Sequence, residues 1–175
     1  MLRNYVFMLF VLTLFAMGLA TTARAADSCQ PVYDAITKII TTPNHSYSTQ
    51  TAAFPKGATR SAETIYVQGK IYVMVKGKWM LSPVTPKEAM EQENENRKSD
   101  TSACQFLRNE SVNGEPAAVY SMHRVTKNEK EDGQIWISRT SGLALRRDLD
   151  MDTGGAMGKS HLSARFEYTN VKPPM

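Results

Sequence analysis

Apolar residues recur with a helical period near the start of the chain, between Asp27 and Thr41. They fall three or four positions apart, which places them on one face of a helix. Asp27 or Ser28 can cap the first turn, and Pro43 ends the pattern. The pattern predicts an amphipathic helix whose apolar face another part of the fold must cover. That face carries Val32, Ala35, Ile36, Ile39 and Ile40.

The segment 63–82 has the shorter period of β-strands. Three runs, TIYV, IYVMV and WML, are separated by Gln68-Gly69 and Lys76-Gly77-Lys78, where glycine supplies the positive φ of tight hairpin turns. We therefore predict a three-stranded meander. Both faces of its middle strand are apolar, so the strand either lies in a core or has one face lining a cavity. The two faces are Ile71, Val73 and Val75, and Tyr72 and Met74.

Residues 85–98 are almost entirely polar, with Pro86 in a first turn and Glu88 and Glu91 close behind. Proline and acidic residues are favoured at helix starts. The segment is predicted to be a helix that is either a solvated connector or a mobile lid, because a helix that is polar on all sides has little burial to hold it.

The remaining mature chain reads as strands. An extended segment covers Asn44 to Phe54, and a hairpin turns at Asn113-Gly114. A second hairpin, Ile135 to Arg147, turns at Ser141-Gly142, and its paired arginines, Arg146 and Arg147, are expected to shape the hairpin and keep it soluble. A last strand runs from His161 to Val171. The fold class is mainly β, with about nine strands and two helices.

Residues 1–25 have the form of a cleaved signal peptide. Arg3 precedes an apolar run from Tyr5 to Ala20, and Ala23-Arg24-Ala25 is a small-x-small cleavage site. The alternative, a membrane anchor, needs roughly 20 apolar residues, and this run is shorter. We expect a single periplasmic domain of residues 26–175 that does not span the membrane.

The charge balance and the cysteine content limit which partners and which thiol chemistry we expect. Outside the leader, 19 basic side chains face 17 acidic ones, a balance that gives no reason to expect nucleic acid as a partner. Cys29 and Cys104 are predicted to pair, because disulfides persist in oxidising compartments. No CxxC motif supports the alternative of a catalytic or metal-binding thiol.

No pattern of catalytic or metal-ligating residues emerges. His45, His123 and His161 are far apart in sequence, and neither a His-x-His motif nor a Gly-x-Ser-x-Gly elbow occurs. We therefore predict no metal, no cofactor and no enzyme activity, although acid–base catalysis by a pair of carboxylates stays open. Met74, Met80 and Met122 lie in predicted strands beside aromatics, which suits an adaptable apolar surface or ordinary core packing.

The C-terminal third contains Trp136-Ile137, then Gly142-Leu143-Ala144-Leu145-Arg146, and a closing strand with Phe166, Tyr168 and Val171. In these residues it resembles the periplasmic lipoprotein-carrier superfamily of LolA, LolB and RseB-like proteins. Ser138 departs from the family's acidic residue and Ala144 from its proline. The resemblance implies an incomplete barrel, one strongly curved antiparallel sheet with helices covering its open apolar side.

That resemblance implies a binding protein without covalent chemistry. Its ligand would be a lipid acyl chain or a lipoprotein segment, and the alternative is a module that recognises an envelope protein or senses stress. Five residues are the candidate cavity lining: Tyr72, Met74, Met80, Met122 and Trp136.

Overall fold

The computed structural model describes residues 29–53, 57–99, 101–127, 129–155 and 158–174. The predicted signal peptide lies outside the described residues. Within them the chain forms two helices and nine strands, as predicted. In chain order these are α1 (Gln30–Thr41), β1 (Asn44–Ala52), β2 (Thr59–Val67), β3 (Lys70–Val75), β4 (Lys78–Leu81), α2 (Pro86–Ser99), β5 (Thr101–Val112), β6 (Glu115–Val125), β7 (Lys130–Ser138), β8 (Ala144–Asp152) and β9 (Lys159–Glu167).

All nine strands form one open antiparallel sheet in the order β4-β3-β2-β1-β9-β8-β7-β6-β5. Every neighbouring pair is a chain-adjacent hairpin except β1 and β9, which pair at the centre of the sheet from His45 opposite Glu167 to Ala52 opposite Ser160. The first and last strands therefore join two meanders. The outer strands, β4 and β5, are the two edges of the sheet, each paired with a neighbour on one side, and the segment that contains α2 connects them.

The amphipathic α1 packs on one side of the sheet, which we call the helix face. Its buried residues, Val32, Ala35 and Ile36, belong to one core cluster with Ile135 of β7 and Leu149 of β8. The opposite side is the helix-free face. Alternation along each strand places one set of side chains on each face, so the register of the sheet decides which residues meet α1.

The N-terminus of α1 differs from the prediction in its cap. Cys29, one residue beyond the predicted Asp27 or Ser28, occupies the N-cap position, and its side chain makes no capping hydrogen bond. The sulfur instead forms the predicted disulfide with Cys104 of β5. This bond fastens the start of α1 to an edge strand, and Lys38 Nζ donates to Ser141 O at 2.8 Å near the other end.

The first turn of α2 contains a capping box, which the sequence analysis did not predict. Thr85 N donates to Glu88 Oε2 at 2.8 Å, and Glu88 N donates to Thr85 Oγ1 at 3.2 Å. The bond from Thr85 N, with a second from Thr85 Oγ1 to the same carboxylate oxygen, lowers the pKa of the Glu88 carboxyl. Among the described residues, no helix is long and apolar enough to cross a membrane.

The picture of α2 as a solvated connector is incomplete, because ionic contacts hold it to the helix face. Glu93 Oε1 lies 2.9 Å from Arg97 Nε, and Glu93 Oε2 lies 3.6 Å from Arg124 Nη1 of β6. Arg97 also donates to Tyr33 O of α1 at 3.0 Å. Ion pairs and hydrogen bonds therefore hold α2 to the helix face, in place of the apolar contacts that its sequence does not provide.

These contacts belong to a buried charge cluster, which we define as Glu93, Arg97, Arg124, Glu131 and Arg147. Arg147 Nη2 lies 3.6 Å from Glu131 Oε2, and burial lowers the pKa of Arg147 while the Glu131 carboxylate opposes that shift. The expectation that both arginines of the Arg146-Arg147 pair serve solubility is therefore wrong for Arg147. Its side chain lies on the helix face and is 19% exposed, against 49% for Arg146.

Replacing both cysteines, Cys29→Ala with Cys104→Ala, should lower the free energy of unfolding by about 4 kcal/mol, because the bond restricts a long loop in the unfolded chain. The measurement is urea unfolding with and without reductant. The unaltered protein should fall to the variant's stability when reduced. A stability that reductant leaves unchanged would contradict the prediction.

Glu93→Gln should lower the free energy of unfolding by about 3 kcal/mol, because it breaks a buried ion pair and leaves arginine charge uncompensated. Glu91→Gln is the matched control on the same helix, since Glu91 pairs with Lys87 in solvent, and it should cost less than about 0.5 kcal/mol. Equal costs in urea unfolding would show that the cluster does not hold α2.

Candidate ligand-binding site

A cavity of about 820 Å³ opens on the helix-free face. Strands β1, β8 and β9 supply its floor, and the β5–β6 and β7–β8 turns bound one end. Its lining combines apolar side chains with two cations and two anions. The lining residues include Tyr47, Val112, Leu143, Leu145, Phe166 and Tyr168, together with Glu115, Arg146, Arg165 and Glu167.

The cavity spans several strands of the sheet. Thr49 on β1 and Asn113 in the β5–β6 turn line the same cavity, although four strand spacings separate β1 from β6, about 19 Å in a flat sheet. Trp136 Nε1 on β7 also reaches across β6 to donate to Glu110 Oε2 on β5. The open sheet with helices on one face is present as predicted, and this cavity lies on the face opposite the helices.

A β-bulge places the cavity's apolar and cationic groups side by side. The register shifts where Ile137 pairs with Ala144 and Trp136 pairs with Arg146, which leaves Leu145 as the extra residue. Leu145 then packs with Val119 and Trp136 on the helix-free face. A bulge re-aims side chains in this way, so Leu145 and Arg146 share one face although they are neighbours in sequence.

Two guanidinium groups on the cavity floor stack on aromatic rings. The Arg146 Cζ lies 4.7 Å from the centroid of the Trp136 ring, and the Arg165 Cζ lies 4.2 Å from the centroid of the Tyr47 ring. Such cation–π contacts are favourable. The result is a row across four adjacent strands, Trp136, Arg146, Arg165 and Tyr47, in direct cross-strand register.

The electrostatics of this row follow from its neighbours. The hydrogen bond from Trp136 and a second from Arg108 lower the pKa of the Glu110 carboxyl, which stays ionised. Partial burial, with the carboxylates of Glu167 and Glu63 nearby, raises the pKa of Tyr47 and keeps its phenol neutral.

The five candidate lining residues fall into different environments. Met122 is in the core beneath α1, and Trp136 is 6% exposed in the small cluster of the helix-free face. Tyr72 and Met74 are half-buried on β3, and Met80 is 53% exposed on the edge strand β4. The structure brings Trp136 next to the cavity through Arg146; it does not bring the five side chains together, and their ligand binding stays a prediction.

Each of the three histidines lies close to an acidic side chain on a neighbouring strand. His123 Nδ1 lies 2.6 Å from Asp132 Oδ1, and His161 Nδ1 lies 2.9 Å from Asp150 Oδ1. His161, Asp132 and Asp150 line a second cavity of about 570 Å³ at the other end of β8 and β9. Within the described ranges, no group of three or more His, Cys, Asp or Glu residues could hold a metal ion.

Sequence reasoning missed the arginine row and the buried charge cluster. Alternation alone would place Arg146 with Ala144 and Arg147 with Leu145, whereas the bulge separates the residues differently. The signals that could have found the row are the cross-strand positions of Arg165 and Tyr47, which depend on the β1–β9 pairing.

No family model matches the chain, and no curated protein sequence matches it. The structure is similar to that of the Mycobacterium tuberculosis lipoprotein LppX, with 11% sequence identity, coverage of 84% of this chain and 99% of that chain, and a TM-score of 0.45. It is similar to MucB in complex with MucA(peri), with 9% identity, coverage of 85% and 57%, and a TM-score of 0.46. A LolA superfamily protein from Nitrosomonas europaea also matches, with 9% identity, coverage of 80% and 91%, and a TM-score of 0.29.

Trp136→Phe should raise the pKa of Glu110 toward its ordinary value, because it removes the indole donor that favours the ionised carboxyl and keeps the aromatic packing. An NMR titration of the side-chain carboxyl carbons measures the shift. Trp79→Phe is the control, since Trp79 contacts His45 and lies away from Glu110. An unchanged Glu110 titration in Trp136→Phe would contradict the hydrogen bond.

Proposed function

We propose that this chain is exported to the periplasm, loses residues 1–25, and binds an apolar ligand such as a lipid acyl chain or a lipoprotein segment without covalent chemistry. The observation that carries the proposal is the open cavity of about 820 Å³ on the helix-free face. Ligand sites in proteins have volumes of roughly 300–1,000 Å³. The cavity is therefore of a size to take a ligand of this class.

The apolar part of the lining supports a ligand with a hydrocarbon chain. Val112, Leu143 and Leu145 border the cavity, and each methylene group that such surfaces remove from water contributes about 0.8 kcal/mol. The strands beneath the cavity are held by ladder pairing, so the site is formed before the ligand arrives. Preformed sites bind with a smaller ordering cost.

Of the five candidate residues, we propose that Trp136 serves this cavity by holding the guanidinium of Arg146 in place. Met122 contributes to the core that positions β6 under α1. Tyr72, Met74 and Met80 belong to β3 and β4, which form the surface of the second candidate function described below.

Thr49→Trp should weaken binding of dodecanol about tenfold, the loss expected when about two methylene groups no longer bury. Thr49 is exposed on β1 and lines the cavity, so an indole there occupies ligand space and leaves the core untouched. Isothermal calorimetry on the purified chain measures the affinity.

Ser61→Trp is the matched control, because Ser61 lies directly opposite Thr49 on β2 and outside the cavity lining. It should leave the affinity within about twofold of the unaltered protein. Absence of dodecanol binding to the unaltered protein, or equal losses in both variants, would argue against this cavity as the binding site.

The second candidate function is recognition of an envelope protein, and the observation that favours it is an apolar surface at the β4 edge of the sheet. Val75, Met80, Leu81 and Val84 are 43%, 53%, 60% and 49% exposed. Edge strands with apolar side chains can accept a partner strand.

Crosslinking in envelope extract tests this second candidate function. Leu81→Lys should abolish a specific crosslinked partner that Thr49→Trp retains.

A further inference from the structure

The cavity floor carries two cations in an arrangement that favours a particular ligand class. Arg146 of β8 and Arg165 of β9 are directly opposite each other, and like charges in this position destabilise a sheet. Both side chains are accessible, with exposed fractions of 49% for Arg146 and 61% for Arg165. Both line the cavity, so a ligand there meets two guanidiniums together.

The aromatic neighbours leave the donor edges of these guanidiniums available. The Arg146 guanidinium lies over the Trp136 ring and the Arg165 guanidinium over the Tyr47 ring, and a ring offers no oxygen acceptor for the five N–H donors that each guanidinium carries. The planar fork of arginine matches the two oxygens of a carboxylate or phosphate. The pair therefore has the donor chemistry for oxyanion recognition.

Nearby acids balance the pair without occupying all its donors. Arg146 contacts Asp148 on its own strand, and Asp148 also accepts from Ser163 Oγ at 2.7 Å. The Arg165 guanidinium lies 3.7 Å from Glu167 Oε1, beyond hydrogen-bond distance, and it donates no hydrogen bond to any residue that the structure describes. Arg165 therefore keeps donors for a ligand.

The other side chains that line the cavity indicate what kind of molecule carries the oxyanion. Leu143 and Leu145 border the same cavity, and Glu115 and Glu167 are its two acids. Two negative charges disfavour a multiply charged ligand by repulsion, and the apolar side chains favour a hydrocarbon chain. We propose that Arg146 and Arg165 clamp the singly charged oxyanion headgroup of an amphipathic lipid whose chain lies along Leu143 and Leu145. This inference rests on the proposed function and names its ligand class.

The test compares dodecanoate with neutral dodecanol on the purified chain by calorimetry. Dodecanoate should bind tenfold or more tightly, and Arg165→Gln should remove that preference while dodecanol affinity stays within about twofold, since charge-assisted hydrogen bonds carry the difference. Arg165→Lys should recover only part of the preference, because it keeps the charge and loses the fork. Lys159→Gln is the control for net charge, being an exposed cation of β9 outside this cavity.

Further arms identify the source of the oxyanion. A lysophosphatidylglycerol that binds more tightly than dodecanoate supports the clamp with a lipid phosphodiester as its ligand, and the reverse order supports it with a fatty-acid carboxylate. Inorganic phosphate that binds as tightly as either lipid overturns it, because the chain then plays no part. Arg146→Gln is the second variant should Arg165→Gln lose stability in urea.

Two outcomes separate this inference from the proposed function. Equal affinity for dodecanoate and dodecanol, or a preference that survives both arginine variants, overturns the clamp and leaves an apolar cavity that binds chains. Failure of both lipids to bind overturns the clamp and the proposed function together.

Discussion

The pairing of β1 with β9 is the constraint on which the rest of the structure depends. These strands are far apart in sequence, and their ladder joins two meanders into one nine-stranded sheet. The same ladder places Tyr47 beside Arg165 and completes the cavity floor. Such non-local pairing costs chain entropy before its contacts form. Neither meander makes this pairing alone, and the local hairpins and the Cys29–Cys104 bond help to stabilise it.

Arg146 and Arg147 show that one β-bulge can place two consecutive arginines in different environments. The bulge at Leu145 sends Arg146 to the helix-free face and Arg147 to the helix face. Arg146 stacks in the open on Trp136, whereas Arg147 is the less exposed of the two and pairs with Glu131. A charge in water and a charge in a core differ by several kcal/mol of desolvation, which is why the partners of the two residues differ so much.

The two faces of the sheet differ: one holds the main core, and the other carries the candidate site. The helix face holds the main core, closed by α1 and by the charged contacts of α2. The helix-free face carries a small core around Trp136 and leaves the adjoining floor open. The described residues that line this cavity come from strands and turns and not from α1 or α2, so the candidate site and the helix-covered core lie on opposite faces of one sheet.

The sequence by itself determined the local elements: the amphipathic spacing of α1, the Asn113-Gly114 hairpin, the strand count and the cysteine pairing all depend on neighbours or on composition. It did not determine which face carries the cavity, because Arg146 and Leu145 share a face only through a bulge. The anchoring of α2 through Glu93 was likewise invisible, since its partner Arg124 is contributed by a distant strand. Local propensities act over a few residues, whereas cavities and buried charges are set by register between strands that only folding brings together.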